Sequence, residues 1–450
     1  MLTCRISRAI RVGGTLLSAG CAWDDSAVMP GDVESGRAAA LRGALLVDKL
    51  PAGKSVWRQD LSRLEDGFAT GYMTDPVLCD DIAYLVASDD STRAFLMGFD
   101  SVDGEVVCKL ELPPSERSYA RLLVFDGYGY AVSGAGDAVA LSVDTGEVLW
   151  ETSCVDGSWT TGETLDGEGR VVGQRVSKAP WYTTEMVFDD GHIFVGFSTY
   201  VDSPGSHLLC LDASNGSIVW CKEYAGHLSF SGGTSQPCLT EAGLVVPVPE
   251  EPGLMLLDAG TGEELARVEL DGLAGMGCVP LPGEPGRYLV QTVSGTLWNI
   301  TVGDASLDAE KRVSLGSGDE GATLLGCGAR PAVAGEFVLC NVPAADTAPI
   351  SVAQVDLASF DATGKVFGTG FASTPAVLQK DGASGMAVFT LCDDDLWPSS
   401  FDGEFGRFER VCEDVSWDTG VDGASITVAA DGALLVPSKR NGAYELVRIE

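Results

Sequence analysis

The sequence predicts an all-β repeat fold, and three observations carry that prediction. One phrase recurs along the chain, short apolar runs are punctuated throughout by glycine-rich turn signals, and the two ends are complementary, one lacking a strand and the other offering a spare one. The phrase reads GFDSVDGEVVC from Gly98 to Cys108, ALSVDTGEVLW from Ala140 to Trp150, CLDASNGSIVW from Cys210 to Trp220 and LLDAGTGEELA from Leu256 to Ala266. Every copy is eleven residues long with glycine seventh, and two of the four end in tryptophan. Self-similarity at a period of tens of residues marks a stacked-repeat architecture.

The clearest unit supplies the strand order. Ala120 to Phe125 is an apolar run, Asp126-Gly127 is a hairpin turn signal, and Tyr128 to Ser133 is a second strand. Gly134 to Asp137 turns, Ala138 to Ser142 is a third strand, Val143 to Gly146 turns again, and Glu147 to Thr152 is a fourth. A four-stranded meander of this size cannot bury both faces alone and must stack on copies of itself. First strands recur near Pro76, Tyr119, Thr184, Gln236, Gly277, Arg330, Thr374 and Ala424, which makes eight units. Units three, six and seven carry insertions around Thr160–Pro180, Ala344–Ile350 and Lys380–Ser384.

The ends account for ring closure. The last unit supplies three strands, Ile426–Ala429, Ala433–Pro437 and Tyr444–Ile449, while Lys54 to Leu61 reads as an orphan strand. The expected fold is therefore an eight-bladed β-propeller of four-stranded antiparallel blades, closed by an N-terminal strand that completes the last blade, an arrangement that leaves few open edges. Its domain is expected to span residues 53–450, with 22–52 as a linker of weak helical character around Ala38 to Val47 and 1–21 as a signal or tail.

The phrase has a physical reading. Gly104, Gly146, Gly216 and Gly262 sit where the turn between third and fourth strands needs positive φ. Asp100, Asp212 and Asp258 stand four residues earlier, where a carboxylate can accept turn amide hydrogens. Trp150 and Trp220 lie four residues after the glycine on the outer strand, as does Trp57 after Gly53, where an aromatic can pack on the neighbouring blade.

The phrases ending in Trp150 and Trp220 resemble the tryptophan-docking repeat of pyrroloquinoline-quinone (PQQ)-type eight-bladed propellers, the quinoprotein alcohol dehydrogenase-like family. The resemblance covers most of 53–450, well in units one to four and more loosely in five to eight. In unit six, Asp361-Ala362-Thr363-Gly364-Lys365-Val366-Phe367 reads as the turn, with Gly368 in the tryptophan position. The family implies one of two functions: quinone-dependent oxidation of alcohols or sugars with calcium, or a non-catalytic scaffold, including lipoproteins of envelope protein assembly.

Bulk properties narrow the choice. With 29 basic against 65 acidic residues the net charge is −36. Such a chain repels phosphate backbones, so no nucleic-acid partner is expected, and it approaches a membrane only through an anchor. The 13 cysteines include no adjacent pair and no C-x-x-C, which argues against zinc-ribbon, thioredoxin-type and c-type haem sites. Most fall in predicted strands as small hydrophobes. Cys210 and Cys221 flank one hairpin and are a candidate disulfide.

The N-terminus reads MLTCRISRAIRVGGTLLSAGC, a basic start with a short apolar core. Leu16 to Cys21 resembles a bacterial lipoprotein processing box, in which the cysteine, here Cys21, becomes the lipid-bearing residue. The match departs from the family at Ser18, where leucine is preferred. The resemblance implies an extracytoplasmic, membrane-anchored protein; a cytoplasmic tail is the alternative.

Candidate chemistry is sparse. The adjacent Cys-Cys pair of the well-known alcohol-oxidising members is missing. Asp393-Asp394-Asp395 is a carboxylate run able to hold a hard cation. His192, His207 and His227 are scattered and there is no G-x-S-x-G, so a hydrolase or lyase would need a triad assembled in space. Cys238, Cys278 and Cys327 lie near the innermost strands of consecutive units and could face a common channel as soft-metal ligands. The insertion Thr160–Pro180, bordered by Trp159 and Trp181, is the candidate contact loop. The expected function is a non-catalytic scaffold binding a protein or glycan, a monomer without cofactor; PQQ and calcium belong to the dehydrogenase alternative.

Overall fold

The computed structural model describes residues 45–62, 64–89, 92–155, 158–165, 171–178, 181–199, 205–226, 237–249, 251–274, 277–315, 330–342, 351–367, 376–380, 386–392, 395–401, 426–440 and 443–450. Every regular element among them is a β-strand, and the described strands fall into six four-stranded sheets, two five-stranded sheets in which the first strand is split in two, and one separate hairpin; the eight larger sheets are the blades. Blade 2 has the order Tyr119–Phe125, Tyr128–Ser133, Asp137–Ser142, Val148–Ser153, and the same meander recurs in blades 1, 3, 4, 5 and 6. First strands, or in blades 1 and 3 the second segment of a split first strand, begin at Val77, Tyr119, Val187, Cys238, Cys278, Ala332, Ala376 and Thr427, matching the eight expected starts closely.

Blade 8 consists of Thr427–Val428, Leu434–Arg440 and Ala443–Ile449, with Ser55–Asp60 pairing antiparallel on Ala443–Ile449 as its outermost strand. Residues near the two ends of the chain thus share one sheet. Blade 8 also lies against blade 1. The Trp57 indole donates to the Val102 carbonyl at 3.1 Å and the Gln59 amide to Gly104 at 2.6 Å. Thr427 Oγ1 donates to the Pro76 carbonyl at 2.6 Å. Arg448, fully buried, pairs with Asp431 and Glu450 and donates to the Ser101 carbonyl. A buried guanidinium is tolerated only with its charge and donors satisfied.

One expectation is corrected here. Leu45–Val47, read as linker with helical character, is a strand, running parallel to Ala376–Lys380 on the inner edge of blade 7 with Leu45 opposite Leu378. Val47 is buried in the core that blades 7, 8 and 1 share. A run of a few apolar residues looks alike in a helix and in a buried strand, and only the unpaired edge of blade 7 decides between them.

The core is laid down between blades rather than inside one centre. Blades 1 and 2 enclose Tyr84, Val86, Leu122 and Val139. Separate clusters fill the junctions of blades 2 and 3, 3 and 4, 4 and 5, and 5 and 6. Each blade buries both faces, so its central strands are apolar almost without alternation: Ala87 and its neighbours from Ala83 are all below 6 % exposed.

The repeated phrase forms these junctions. In each copy the glycine N–H donates to a carbonyl four residues back, Gly104 to Asp100, Gly146 to Ser142, Gly216 to Asp212 and Gly262 to Asp258. All four glycines have φ near +70°. The aspartate side chain caps the turn, with Asp100 Oδ1 accepting from Val102 and Asp212 Oδ1 from Ser214, both at 2.8 Å. Trp150 of blade 2 then lies on Gly216 of blade 3, its Nε1 donating to the Ala213 carbonyl at 2.9 Å. Trp220 of blade 3 lies on Gly262 of blade 4 and donates to Ala259 at 2.9 Å. At the junction of blades 1 and 2 the outer strand has Cys108, and Leu110 covers Gly146 instead.

Blade 6 is in a different register from the one read in the sequence. Its turn is Asp356 to Phe360, with the Phe360 N–H donating to the Asp356 carbonyl at 2.7 Å. Phe360 holds the glycine position at φ 55°. Ala362–Phe367, read as containing the turn, is the fourth strand itself. The motif DATGK misled the reading because it fits a turn as well as the true site does. Phe360 is buried, and the Arg312 guanidinium of blade 5 sits 4.7 Å from its ring centroid. The aromatic here comes from the turn and meets a cation on the outer strand.

Replacing Trp150 by alanine is expected to lower the free energy of unfolding by about 3–5 kcal/mol. Gly216→Ala meets three obstacles, the positive φ and a Cβ placed 2.5 Å from Trp150 Cε3 and 2.6 Å from Thr152 Oγ1. In the Trp150→Ala background the indole clash is gone, and the backbone cost of about 1–2 kcal/mol and the Thr152 contact remain. Urea unfolding of the two single variants and the double variant is therefore expected to show strong non-additivity.

Candidate functional site

The innermost strands of blades 1, 2 and 3 converge on one charged group. Arg121 lies on the first strand of blade 2 and is 9 % exposed. The first strands of blades 1 and 3 are each broken in two, Thr70–Met73 from Val77–Cys79 and Tyr182–Thr183 from Val187–Asp189. A threonine makes each break. The Thr74 N–H donates to the Val86 carbonyl while Thr74 Oγ1 accepts the Val86 N–H, both at 2.9 Å. Thr184 does the same with Gly196, at 2.9 and 2.8 Å. The side chain takes over a ladder position, so the backbone is released into a bend, the behaviour of a β-bulge. The residue after each threonine is acidic, Asp75 in blade 1 and Glu185 in blade 3.

Both carboxylates act on Arg121. Its Nε is 3.2 Å from Glu185 Oε1, with the two side chains 10 % and 21 % exposed. Burial works against the charged guanidinium. Glu185, Tyr72 and Asp75 outweigh it, and the group is held above its ordinary value. The Tyr72 phenol is pushed up by burial, with Arg121 pulling the other way. The arrangement is a permanent cation locked between acids, suited to holding three blades in register and to presenting a fixed charge pattern.

The structure places the residues singled out in the sequence as follows. Cys238 and Cys278 each open the first strand of their blade, and both are buried in the core between blades 4 and 5, Cys238 Sγ lying 3.9 Å from the Leu239 carbonyl. The neighbouring Cys238 thiol, with burial, pushes the Cys278 thiol well above its usual value. A protonated thiol is a poor metal ligand, and Cys327 lies outside the described residues. Among the described residues no three His, Cys, Asp or Glu side chains gather as a metal site. Asp393 and Asp394 lie outside the described residues, and Asp395 opens the strand Asp395–Phe401.

Cys210 and Cys221 are not a disulfide. Cys210 stands opposite Trp220 and is buried between blades 3 and 4, whereas Cys221 stands opposite Leu209 on the other face and is exposed. Successive strand positions face opposite sides of a sheet. Cys221 Sγ is instead 3.9 Å from His207 Nδ1. His192 begins its strand opposite Asp212, and His227 lies outside the described residues.

The insertion between blades 2 and 3 is an antiparallel hairpin, Ser158–Leu165 with Val171–Lys178, forming its own two-stranded sheet. Trp159 is opposite Ser177 in it. Trp181, read as a contact anchor, is buried. It is 8 % exposed, packs in the core of blades 2 and 3, and meets the His207 ring edge-on at 5.3 Å. A tryptophan leaving a loop for a first strand enters the inter-blade core, because that strand is covered on both faces. Cys21 lies outside the described residues.

A cavity of 290 Å³ opens between blades 5 and 6, lined by Glu284, Arg287, Arg312, Leu357 and Phe360 among others. Arg287 pairs with Glu284 and Arg312 with Glu310, so its charges are compensated. Sequence reasoning missed Arg121, Arg448 and Phe360. Arg121 had a signal, a lone arginine inside an otherwise apolar strand.

The comparisons with known proteins agree with this geometry. Residues 32–163 match a family model described as outer membrane protein assembly factor BamB. BamB from Moraxella catarrhalis superposes with a TM-score of 0.53 at 12 % identity, covering 88 % of this chain and 99 % of that one. The chain has the β-propeller fold of these proteins. A europium-containing methanol dehydrogenase shares this propeller's fold with a TM-score of 0.58 at 12 % identity, covering 93 % of this chain and 91 % of the other. The quinohemoprotein alcohol dehydrogenase from Comamonas testosteroni does so with 0.54 at 14 %, covering 91 % and 79 %. At such identities these structures establish the fold of the propeller alone. No curated protein sequence matches it.

His207 supplies a pH test of the blade 3 surface. Burial holds its pKa below the usual value, against the pull of Glu223. Protonation therefore favours the unfolded chain. His207 costs nothing above its ordinary pKa of about 6.5 and destabilises as pH falls through that value toward the folded one. Urea midpoints are expected to fall between about pH 7 and 5, and His207→Gln is expected to flatten that part of the profile.

Proposed function

We propose that this propeller is a non-catalytic scaffold that binds a protein partner in the cell envelope, outside the cytoplasm. The observation that carries the reading is the match of residues 32–163, which include blades 1 and 2, to the BamB family model. The site chemistry is consistent with it. The one cation of the inner strands of blades 1 to 3 is locked between acids, as rigidity requires, and the tryptophan seats make neighbouring blades into a stiff platform. A rigid platform binds without losing conformational freedom of its own.

The surface also offers contact groups. The outermost strands of blades 1, 2 and 3 each expose an apolar pair just before the docking position, Val106 and Val107, Val148 and Leu149, Ile218 and Val219, all at least 37 % exposed. The hairpin 158–178 stands beside these strands in the chain, and it is the contact element of this proposal. A glycan is the other class of partner a propeller face accommodates. Lipidation at Cys21 would hold the protein at the membrane, and the unit is a monomer. No helix among the described residues is long and apolar enough to cross a membrane.

The competing reading is a PQQ- and calcium-dependent dehydrogenase. Full-length protein mixed with PQQ and calcium is expected to gain no bound chromophore after gel filtration and to reduce no artificial acceptor with alcohols or sugars. A retained chromophore with turnover would replace the scaffold by the enzyme. Deleting residues 160–175 is expected to leave the thermal midpoint within about 2 °C, as for a surface hairpin, and to abolish cross-links to a partner from a photoreactive residue on blade 2 at position 149. Unchanged cross-linking would remove the hairpin from the interface.

A further inference from the structure

The bulges of the outermost strands set blade 5 apart. In blades 1 to 4 the extra residue falls beside the turn, at Val107, Leu149, Val219 and Leu265. In blade 5 it is Arg312, further along the strand, between Lys311 opposite Trp298 and Val313 opposite Leu297. A bulge re-aims the side chain it carries. Here the guanidinium is aimed at blade 6, 4.7 Å from the Phe360 ring centroid. Between blades 2 and 3, and 3 and 4, an indole lies on a turn glycine. Between blades 5 and 6 an arginine lies on a phenylalanine, and beside them is the 290 Å³ cavity.

A second arginine lines the same cavity. Arg287 is on the second strand of blade 5, and the buried Asn299 is on the third, between it and Arg312 on the fourth. Diagonal neighbours on one face of a sheet come within reach of long side chains. With its amide oxygen toward the arginines, the orientation that their donors dictate, Asn299 accepts from Arg287 and from Arg312 Nη2, the latter at 3.0 Å. Two guanidiniums thus converge on one neutral oxygen.

Their donors are not all used. Arg312 Nε is buried and, among the described residues, has no acceptor. Leaving such a donor unsatisfied costs about 1–3 kcal/mol, more for a charged group, so the position calls for an acceptor. The carboxylates already present are the outer ends of their ion pairs. Glu284 is 49 % exposed against 33 % for Arg287, and Glu310 is 64 % exposed against 23 % for Arg312. Pairs open to water contribute about 0–1 kcal/mol, so a bound anion can take the place of either carboxylate.

We propose that the cleft between blades 5 and 6 binds a small soluble phosphate monoester through Arg287 and Arg312. A phosphate group offers oxygens in more than one plane and can accept from two guanidinium forks at once, whereas a planar carboxylate matches one. The cavity is at the lower end of the range of ligand sites, about 300–1,000 Å³, which suits a short ester. With a net charge of −36 the chain as a whole repels anions, and the two converging arginines oppose that field locally. The site stands independently of the scaffold reading.

The test is phosphorus NMR of glycerol phosphate titrated with the full-length protein in chloride buffer at constant ionic strength. The expected result is line broadening that saturates at one ester per chain with a Kd of about 1 mM or below, and that inorganic phosphate reverses. Arg287→Gln and Arg312→Gln are each expected to weaken binding about tenfold or more. Glu310→Gln removes a competing carboxylate from the rim and is expected to tighten binding about threefold. That variant keeps the test decisive if an arginine variant fails to fold, which thermal melts would show. A response that never saturates overturns the proposal, as does an affinity unchanged by Glu310→Gln and by the folded arginine variants. Binding to vesicles of phosphatidic acid without binding of the soluble ester would assign the phosphate to a lipid headgroup and overturn it as well.

Discussion

An indole laid on a glycine across a blade boundary is the interaction on which the rest of this structure depends. A four-stranded sheet has two apolar faces and no means of covering them, so each blade is stable only against its neighbours. Apolar burial alone would let blades slide, because it is non-directional. The indole N–H donating to a carbonyl of the next blade sets the register, and the glycine turn sets the approach. Its left-handed φ shapes the turn and its missing side chain leaves room for the ring.

The chain meets the same requirement in different ways around the molecule. Leu110 fills the seat on Gly146 by shape alone. Phe360 carries the aromatic on the turn and accepts a strained backbone to do so. The boundary of blades 8 and 1 adds the buried Arg448 to its tryptophan. That boundary joins segments far apart in sequence, and a wrong register there is opposed by an unpaired buried charge. Between blades 4 and 5, where Ala266 holds the docking position, Trp298 of blade 5 packs on the shared core and its Nε1 donates to Asp271 at 3.1 Å, with Thr296 and Lys311 on the same carboxylate.

The charged centre follows the same logic at the inner strands. Two bulges made by Thr74 and Thr184 turn Asp75 and Glu185 toward Arg121, so three blades are fixed by one guanidinium. This is chemistry of positioning. On the outer strands of blades 1, 2 and 3 exposed apolar pairs recur at the same place.

The sequence by itself determined the repeat, the eight first strands and the use of Ser55–Asp60 to complete the last sheet. Those follow from local turn chemistry and apolar runs, which are written in neighbouring residues. It could not decide the register of blade 6, where DATGK imitates a turn and the true turn hides its glycine position behind Phe360. Nor could it decide the strand at Leu45–Val47, whose partner lies more than three hundred residues away. Trp181 and Cys210 read as exposed and pairable from their neighbours, yet the stacking of blades buries one and turns the other away from Cys221. The Arg121 site and the burial of Cys238 and Cys278 in one core were likewise settled only by tertiary structure. Each joins different blades, and residues on different blades become neighbours only when the sheets stack.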